Sequence, residues 1–258
     1  MTGPLHSVPD PDELIVAPSL LAVDFAVSAA RSVAGVADWL HVDIMDGQFV
    51  PNRTIGLDHF QTLRAATTVP LDTHLMISDP EVWAVRYAEA GSTYVTFHAE
   101  ACPDPAALAK DIRAAGARAG LAIDRDTPVE PYLELLPFID MLLIMTIKAG
   151  AGGQAFLPHL LEKVRTARAH RDAGDLQVRI EVDGGIAEGT IEQAVVAGAE
   201  APGRRSPPGT SAGGGAGRGQ PIVWPYTWST DIFISTLRSL TMTARYSSQS
   251  GCSPAALR

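Results

Sequence analysis

Two imidazoles and two carboxylates stand near the ends of three apolar runs in this 258-residue chain. His41 and Asp43 occur in WLHVDIMDG, His74 in LDTHLMI and Asp183 in IEVDGG. Residues two apart on a strand point to the same side, so His41 and Asp43 are expected to share a face. Such a set can bind one Zn²⁺, Mn²⁺, Fe²⁺ or Co²⁺ ion without a sharp choice among them.

Each of these residues alone has a simpler explanation, because a polar residue at a strand end can hydrogen-bond a loop. The set is harder to explain structurally, since buried carboxylates and imidazoles are costly without partners. Two carboxylates beside a Lewis acid favour a specific reaction, in which a proton leaves a carbon next to a carbonyl and another returns on the opposite face. That reaction inverts the carbon and requires no redox cofactor.

Short apolar runs alternate with Ala-rich amphipathic segments over most of the chain. This pattern predicts repeated βα units around a buried parallel sheet, as in a (β/α)₈ barrel with its active face at the carboxyl ends of the strands. The expected strands are 14–21, 39–45, 71–77, 94–99, 118–123, 141–147 and 177–183. The expected helical segments are 25–36, 80–91, 105–116, 128–138, 157–174 and 190–200.

The eighth βα unit is expected to be missing or disrupted. Where an eighth strand belongs, near residue 200, the chain reads APGRRSPPGTSAGGGAGRGQ, a composition typical of disorder. We therefore predict a barrel domain over 1–202 and a poorly ordered tail over 203–258. The abrupt change suggests a shift of reading frame. A seven-stranded array would leave its first and seventh strands unpaired.

Charge and composition narrow the classes of partner. Residues 1–202 carry 14 Lys and Arg against 28 Asp and Glu, whereas residues 203–258 carry 6 Arg and 1 Asp. An acidic body argues against nucleic acid as the main partner. No apolar run approaches a membrane span, no secretory signal is visible, and two distant cysteines favour the reducing cytoplasm.

Two Gly-rich loops are candidates for binding a phosphate group. KAGAGGQ follows the sixth expected strand, and Asp183-Gly184-Gly185 ends the seventh. Glycine lets backbone N–H groups approach a phosphate, and a helix N-terminus adds a favourable dipole. The first loop alone could be a plain turn, but two such loops on neighbouring late strands support each other. A sugar phosphate is thus the expected small-molecule partner.

The chain resembles the ribulose-phosphate 3-epimerase family. The matching segments are APSLLAVDF, HVDIMDGQFVPN, THLMI, FHAE, MTIKAGAGGQAF and EVDGGI, which occur in family order over about residues 14–200. The resemblance implies a (β/α)₈ barrel with one divalent metal ion. It also implies interconversion of D-ribulose 5-phosphate and D-xylulose 5-phosphate through a cis-enediolate, a step of the pentose phosphate pathway. Family members commonly form homo-oligomers.

The resemblance also implies roles for individual residues. His41, Asp43, His74 and Asp183 correspond to the metal ligands, and Asp43 and Asp183 to the acid/base pair. The implied substrate contacts comprise the ligands His74 and Asp183, a serine, three methionines and the glycines of both loops: Ser19, Met45, Met76, Met145, Gly150, Gly152, Gly153, Gly184 and Gly185.

Departures from the family pattern predict weakened or absent activity. Ala149 and Ala151 replace a proline and a phenylalanine of the family's loop, which we expect to loosen the turn and uncover the substrate. The family's last phosphate loop is not recognisable. Two alternatives therefore stay open: a non-catalytic remnant that binds metal or sugar phosphate, and another phosphate-binding barrel such as a ketose-phosphate aldolase or decarboxylase.

Overall fold

Eight parallel strands form one sheet in the order β1-β8-β7-β6-β5-β4-β3-β2. The computed structural model describes residues 15–20, 27, 30, 37–150 and 154–204. The strands are β1 (Ala17–Pro18), β2 (Leu40–Met45), β3 (Leu71–Met76), β4 (Tyr94–His98), β5 (Arg118–Ile123), β6 (Met141–Met145), β7 (Arg179–Asp183) and β8 (Ala201–Arg204). A bridge between Ser19 and His41 joins the β1 end of the sheet to β2 and closes the ring. The predicted (β/α)₈ barrel class is confirmed.

Helices connect the strands. They are α1 (Leu57–Ala66), α2 (Pro80–Glu89), α3 (Pro105–Ala114), α4 (Leu161–Ala173) and α5 (Glu188–Ala197), with 3₁₀ helices at Ala99–Ala101, Glu130–Phe138 and Pro158–Leu160. The predicted segment 128–138 forms a 3₁₀ helix, which fits its prolines Pro131 and Pro137. Helix α1 was not predicted, and the predicted segment 25–36 lies almost entirely outside the described residues. No described helix combines the length and apolarity needed to cross a bilayer.

Strands β2, β3, β4, β6 and β7 are buried along their whole length, on both faces. Their outward side chains, such as Leu40, Leu71 and Ile180, join the large core cluster that packs against the helices. At the amino-terminal end of the barrel, the interior is filled by a small cluster containing Trp39, Tyr94 and Met141. Further along the strands, the inward positions of β2, β3 and β7 carry polar side chains, which can support chemistry in the interior.

The eighth strand contradicts our expectation of unpaired strands. Glu181–Asp183 of β7 pair with Ala201–Gly203, and Ala17 and Pro18 pair with Gly203 and Arg204. The short segment can complete the ring because two existing strands supply its hydrogen-bonding partners. Residues 205–258 lie outside the described part of the chain, so the poorly ordered tail stays a prediction.

Glu200, immediately before β8, links the segments that close the barrel. Its side chain is buried and accepts hydrogen bonds from Arg168 and Arg171, each at 2.7 Å, and from the Ile180 N–H at 2.8 Å. Its backbone accepts the Ile15 N–H at 2.7 Å and donates to the Ile180 carbonyl at 2.8 Å. One residue thereby connects the first strand, the seventh strand and α4.

A second polar tie joins two loops at the carboxyl end of the barrel. Asp46 accepts hydrogen bonds from the Gln48 and Phe49 N–H groups through Oδ1, at 2.8 and 2.9 Å. Its Oδ2 accepts from the Ser78 N–H at 2.8 Å and from the Ser78 hydroxyl at 2.6 Å. Burial alone would raise the pKa of Asp46, but these hydrogen bonds lower it to about 2.

Replacing Glu200 by Ala is expected to destabilise the barrel by about 3 kcal/mol, because it removes one partner of a buried ion pair with Arg171. The measurement is equilibrium unfolding in urea. Glu192→Ala, at an exposed position of α5, is the matched control and should change stability by less than about 0.5 kcal/mol. Equal effects of the two substitutions would contradict this role of Glu200.

Replacing Asp46 by Asn is expected to cost about 1 kcal/mol at neutral pH, a modest value because the site is partly solvated. The folded pKa lies below the ordinary value of 3.8, so this carboxylate contributes stability above about pH 4 and loses it towards about pH 2. The difference in unfolding free energy between wild type and variant should therefore shrink as pH falls through that window. A gap that stays constant with pH would count against the carboxylate, and Asp111→Asn, on the exposed face of α3, serves as control.

Candidate active site and metal centre

Four side chains converge inside the barrel. One possible ligand atom from each of His41, Asp43, His74 and Asp183 lies within 4.8 Å of the others, and all four residues are buried. His41 and Asp43 come from β2, His74 from β3 and Asp183 from β7. Asp43 is in register with His74 on the neighbouring strand, while Asp183 approaches from the other side of the closure. The alternation of strand residues directs all four inward.

The spacing within this cluster suits a shared cation. His41 Nε2 lies 3.5 Å from Asp43 Oδ1, and His74 Nδ1 lies 3.4 Å from the same oxygen. Ligand atoms bound at about 2.0–2.1 Å to one tetrahedral ion lie about 3.3–3.4 Å apart. Among the described residues, His41 Nε2, His74 Nδ1 and both Asp183 carboxylate oxygens have no hydrogen-bond partner. Buried polar atoms without partners are costly, and a divalent cation would satisfy them together.

The pKa shifts of the buried groups also favour a bound cation. Burial alone would lower the pKa of His41, but Asp72 and Asp43 raise it well above its ordinary value. Burial raises the pKa of Glu181, and the nearby negative charge of Asp72 adds to the rise. The pKa of His74 is lowered, mainly by burial. The interior therefore carries an excess of carboxyl groups that favours a positive charge among them.

A lower layer of polar residues supports the upper one. His41 Nδ1 donates to Asp72 Oδ2 at 2.6 Å, which leaves Nε2 as the nitrogen that faces Asp43. Glu181 Oε1 lies 3.5 Å from the same His41 Nδ1. Because a carboxylate partner fixes the ring orientation of a histidine ligand, Asp72 is well placed to orient His41.

Ser19 contacts the cluster directly. Its hydroxyl donates to Asp43 Oδ2 at 2.6 Å, so it fixes one oxygen of that carboxylate while Oδ1 faces the two imidazoles. Thr54 holds the adjacent backbone, since its hydroxyl donates to the Asp43 carbonyl at 2.6 Å and accepts from the Met45 N–H at 2.9 Å. Asp43 is thus held at its carboxylate by Ser19 and at its backbone by the loop after β2.

The three methionines lie together above the polar cluster. Met45, Met76 and Met145 belong to one buried apolar group that also contains Val50 and Ile147. Met45 and Met76 each follow an inward ligand by two residues, and Met145 is in register with Asp183. They therefore form an apolar lining at the carboxyl end of the interior.

The candidate phosphate loops are described only in part. Gly150 accepts a hydrogen bond from the Asn52 side chain at 2.5 Å, but Gly152, Gly153 and Ala151 lie outside the described residues. Gly184 and Gly185 have positive φ values of 111° and 69°. A Cβ on Gly185 would lie 2.7 Å from the backbone of Phe156, so the close packing of the two loops needs glycine there. No described contact bears on phosphate binding, which stays a prediction.

One family departure has a local explanation. The Ala149 N–H donates to Asp124 Oδ1 at 3.1 Å, a bond that a proline could not make. This tie opposes the loosening that we expected from the loss of proline.

Several polar residues of the interior were missed by the sequence analysis. Asp72 and Glu181 stand two positions before His74 and Asp183, so alternation along the same strands could have found them. His98, at the end of β4, also belongs to this interior group, because its Nε2 lies 2.9 Å from His74 Nε2. Glu100, the partner of His98, lies beyond the strand and carried no periodic signal.

Comparisons with known proteins identify the family of the chain. A profile described as the ribulose-phosphate 3 epimerase family matches residues 15–202. The ribulose-phosphate 3-epimerase of Mycobacterium leprae is 55% identical over 187 residues, which cover 72% of this chain and 84% of that protein. The corresponding protein of Mycobacterium tuberculosis H37Rv is 54% identical over 187 residues, covering 72% and 82% of the two chains.

Solved structures share the fold at low sequence identity. 3-Hexulose-6-phosphate synthase from Salmonella typhimurium has a TM-score of 0.60 at 14% identity, covering 90% of this chain and 99% of that one. Phosphoribosyl anthranilate isomerase from Thermus thermophilus has a TM-score of 0.59 at 16% identity, with the same coverage. At this low identity, the two structures support the barrel fold alone. The family match and the relatives at 54–55% identity identify the family. The chain belongs to the ribulose-phosphate 3-epimerase family.

Proposed function

We propose that this chain interconverts D-ribulose 5-phosphate and D-xylulose 5-phosphate by inverting C3 through a cis-enediolate. The observation that carries the proposal is the pair of buried aspartates, Asp43 and Asp183, which approach one buried space from opposite sides of the barrel closure. Inversion requires one group to remove the C3 proton and another to deliver a proton to the opposite face. Two carboxylates on β2 and β7 meet that requirement.

Each aspartate is assigned both roles, one for each direction of the reaction. Asp43 acts as base or acid on one face of C3, and Asp183 acts in the complementary role on the other. The Ser19 hydroxyl, bonded to Asp43 Oδ2, restricts the rotation of that carboxylate and leaves Oδ1 towards the interior. The methionine lining excludes water from the reacting carbon, which protects the enediolate from side reactions.

The residues that would hold a divalent cation are His41, Asp43, His74 and Asp183. When bound, the cation would stabilise the negative charge that develops on the substrate oxygens. The ligand set suits Zn²⁺, Fe²⁺, Mn²⁺ or Co²⁺. Gly150, Gly152, Gly153, Gly184 and Gly185 are proposed to bind the phosphate group, which would place C3 between the two carboxylates.

Two alternatives make different demands on the site. A decarboxylase or aldolase relative would favour a lysine among the acidic groups. In the described interior there is none, since Lys148 and Lys110 are exposed and Lys163 donates to the carbonyls of Asp124, Arg125 and Thr127. A non-catalytic remnant would bind metal or sugar phosphate but would not exchange the C3 proton.

We place the chain in the cytoplasm, with a sugar phosphate as its small-molecule partner, no nucleic acid, and a homo-oligomeric state. The rice relative that is 44% identical over 191 residues is named a cytoplasmic isoform.

Weak turnover also stays a prediction. The argument from unpaired strands no longer applies, because β8 pairs with β1 and β7. The prediction now rests on the sequence, in which the family's last phosphate loop is not recognisable.

Incubating the metal-loaded chain with ribulose 5-phosphate in D₂O is expected to produce xylulose 5-phosphate with deuterium at C3. Asp43→Asn and Asp183→Asn should each slow incorporation at least about 100-fold, because each removes a group that transfers a proton. Mass spectrometry and NMR of the product follow both events. The control Asp111→Asn, at an exposed position, should exchange at the wild-type rate.

The same experiment separates the alternatives. Sugar-phosphate binding without deuterium incorporation would support the remnant and overturn the enzymatic proposal. Exchange that survives in both Asp→Asn variants would overturn the two-base assignment. A rate equal to that of the mycobacterial relatives would contradict the predicted weak turnover.

Removing divalent metal with a chelator is expected to abolish exchange, and adding back Zn²⁺, Mn²⁺, Fe²⁺ or Co²⁺ should restore it. His41→Gln should weaken Co²⁺ binding at least about tenfold, because it removes a proposed ligand. The measurement is the visible absorption of bound Co²⁺. His59→Gln, at an exposed position of α1, provides the control, and full activity in the chelated protein would refute metal dependence.

A further inference from the structure

A hydrogen-bond chain leads from the surface of the barrel to the metal centre. His74 Nε2 lies 2.9 Å from His98 Nε2, and His98 Nδ1 lies 3.0 Å from Glu100 Oε2. Both imidazoles are buried, while the Glu100 side chain is 25% exposed. The chain therefore begins at a partly solvated carboxylate and ends at the imidazole whose Nδ1 faces Asp43 and Asp183.

The chemistry of these groups dictates where the protons lie. An ionised carboxylate can only accept, so His98 must donate through Nδ1. A neutral imidazole carries one proton, which leaves His98 Nε2 as an acceptor. The short contact between the two Nε2 atoms then requires His74 to donate. A neutral His74 with its proton on Nε2 presents an unprotonated Nδ1 to the interior.

Glu100 is fixed as an acceptor. Its Oε1 accepts the Asp124 N–H at 2.7 Å, so the carboxylate is held at both oxygens. Burial alone would raise the pKa of Glu100, but hydrogen bonds from His98, Thr127 and the Asp124 backbone lower it to about 2. The carboxylate is therefore ionised throughout the neutral range.

His98 is held in the orientation that this chain requires. The Phe49 ring packs on it with centroids 4.8 Å apart, and the His74 ring lies edge to edge with it, with an angle of 24° between the ring planes. A flip of the ring would break the bond to Glu100. Packing and hydrogen bonding thus select the same ring orientation.

We propose that Glu100 is a positioning residue that, through His98, keeps the proton of His74 on Nε2 and so presents Nδ1 as a metal ligand. His74 thereby obtains through an intervening imidazole what His41 obtains from Asp72 directly. The role of His74 as a metal ligand rests on the proposed function. The proton positions of His98 and His74 do not, because they are set in the metal-free chain.

Heteronuclear NMR of the metal-free, ¹⁵N-labelled chain tests the proton positions directly. Long-range ¹H–¹⁵N correlations distinguish an imidazole nitrogen that carries a proton from one with a lone pair. The expected result is His98 protonated on Nδ1 and His74 protonated on Nε2. The opposite tautomer at His74 would overturn the proposal without any variant.

Glu100→Gln tests the source of the preference. A glutamine amide has almost the same shape, but its single oxygen is needed to accept the Asp124 N–H, so its NH2 group would face His98 Nδ1 and favour the opposite tautomer of His98. The His74 ¹⁵N shifts should therefore move towards those of the tautomer that is protonated on Nδ1. The dissociation constant for Co²⁺ should rise about tenfold or more, as for other partners of metal ligands. Glu162→Gln, at an exposed position of α4 with a surface partner in Arg165, should change neither quantity.

The outcomes separate this proposal from the proposed function. Unchanged His74 shifts in Glu100→Gln, or an unchanged Co²⁺ affinity, would overturn the positioning role. A weaker affinity with unchanged shifts would also overturn it, because the effect would then be a general loss of structure. The expected shifts and affinities in a chain that does not epimerise its substrate would support the positioning role while the proposed function fails.

Discussion

The cost of burying negative charge governs the interior of this barrel. Asp43, Asp72, Glu181 and Asp183 are each at most 1% exposed, and the surrounding strands supply mainly apolar contacts. Several of their oxygens have no hydrogen-bond donor among the described residues. Carboxyl groups in such a place must take up protons, pair with imidazoles or share a cation. A bound divalent cation would offset this cost.

Strand alternation arranges these groups in two layers. The upper layer contains Asp43, His74 and Asp183, and the lower layer contains His41, Asp72 and Glu181, with each strand contributing one residue to each layer. His41 reaches from the lower layer into the ligand set through Nε2, because its Nδ1 is bonded to Asp72. The lower layer therefore sets the orientation of the His41 ring, a candidate ligand.

The sequence was sufficient to predict most of the strands and the convergence of His41, Asp43, His74 and Asp183, because both follow from a period-two pattern in buried parallel strands. It was insufficient for β8. Pro202 has no N–H to donate and Gly203 has no side chain to pack, so local propensity argues against a strand there. Pairing with β1 and β7 outweighs that propensity. Helix α1 was not predicted, and its segment LDHFQTLRAA buries only Phe60 and Leu63, so few apolar positions mark its buried face.

The burial of the site also constrains how a substrate could reach it. The candidate ligands, each at most 1% exposed, lie beneath residues of the loops that follow β2 and β6. Within the described residues, the contacts of these loops include the Phe49 ring on His98 and the hydrogen bond from Asn52 to the Gly150 carbonyl. A molecule that approaches Asp43 and Asp183 from the carboxyl end of the barrel would meet these contacts. Phe49 also packs on His98, so displacing the loop after β2 would remove a contact from the imidazole that is hydrogen-bonded to His74.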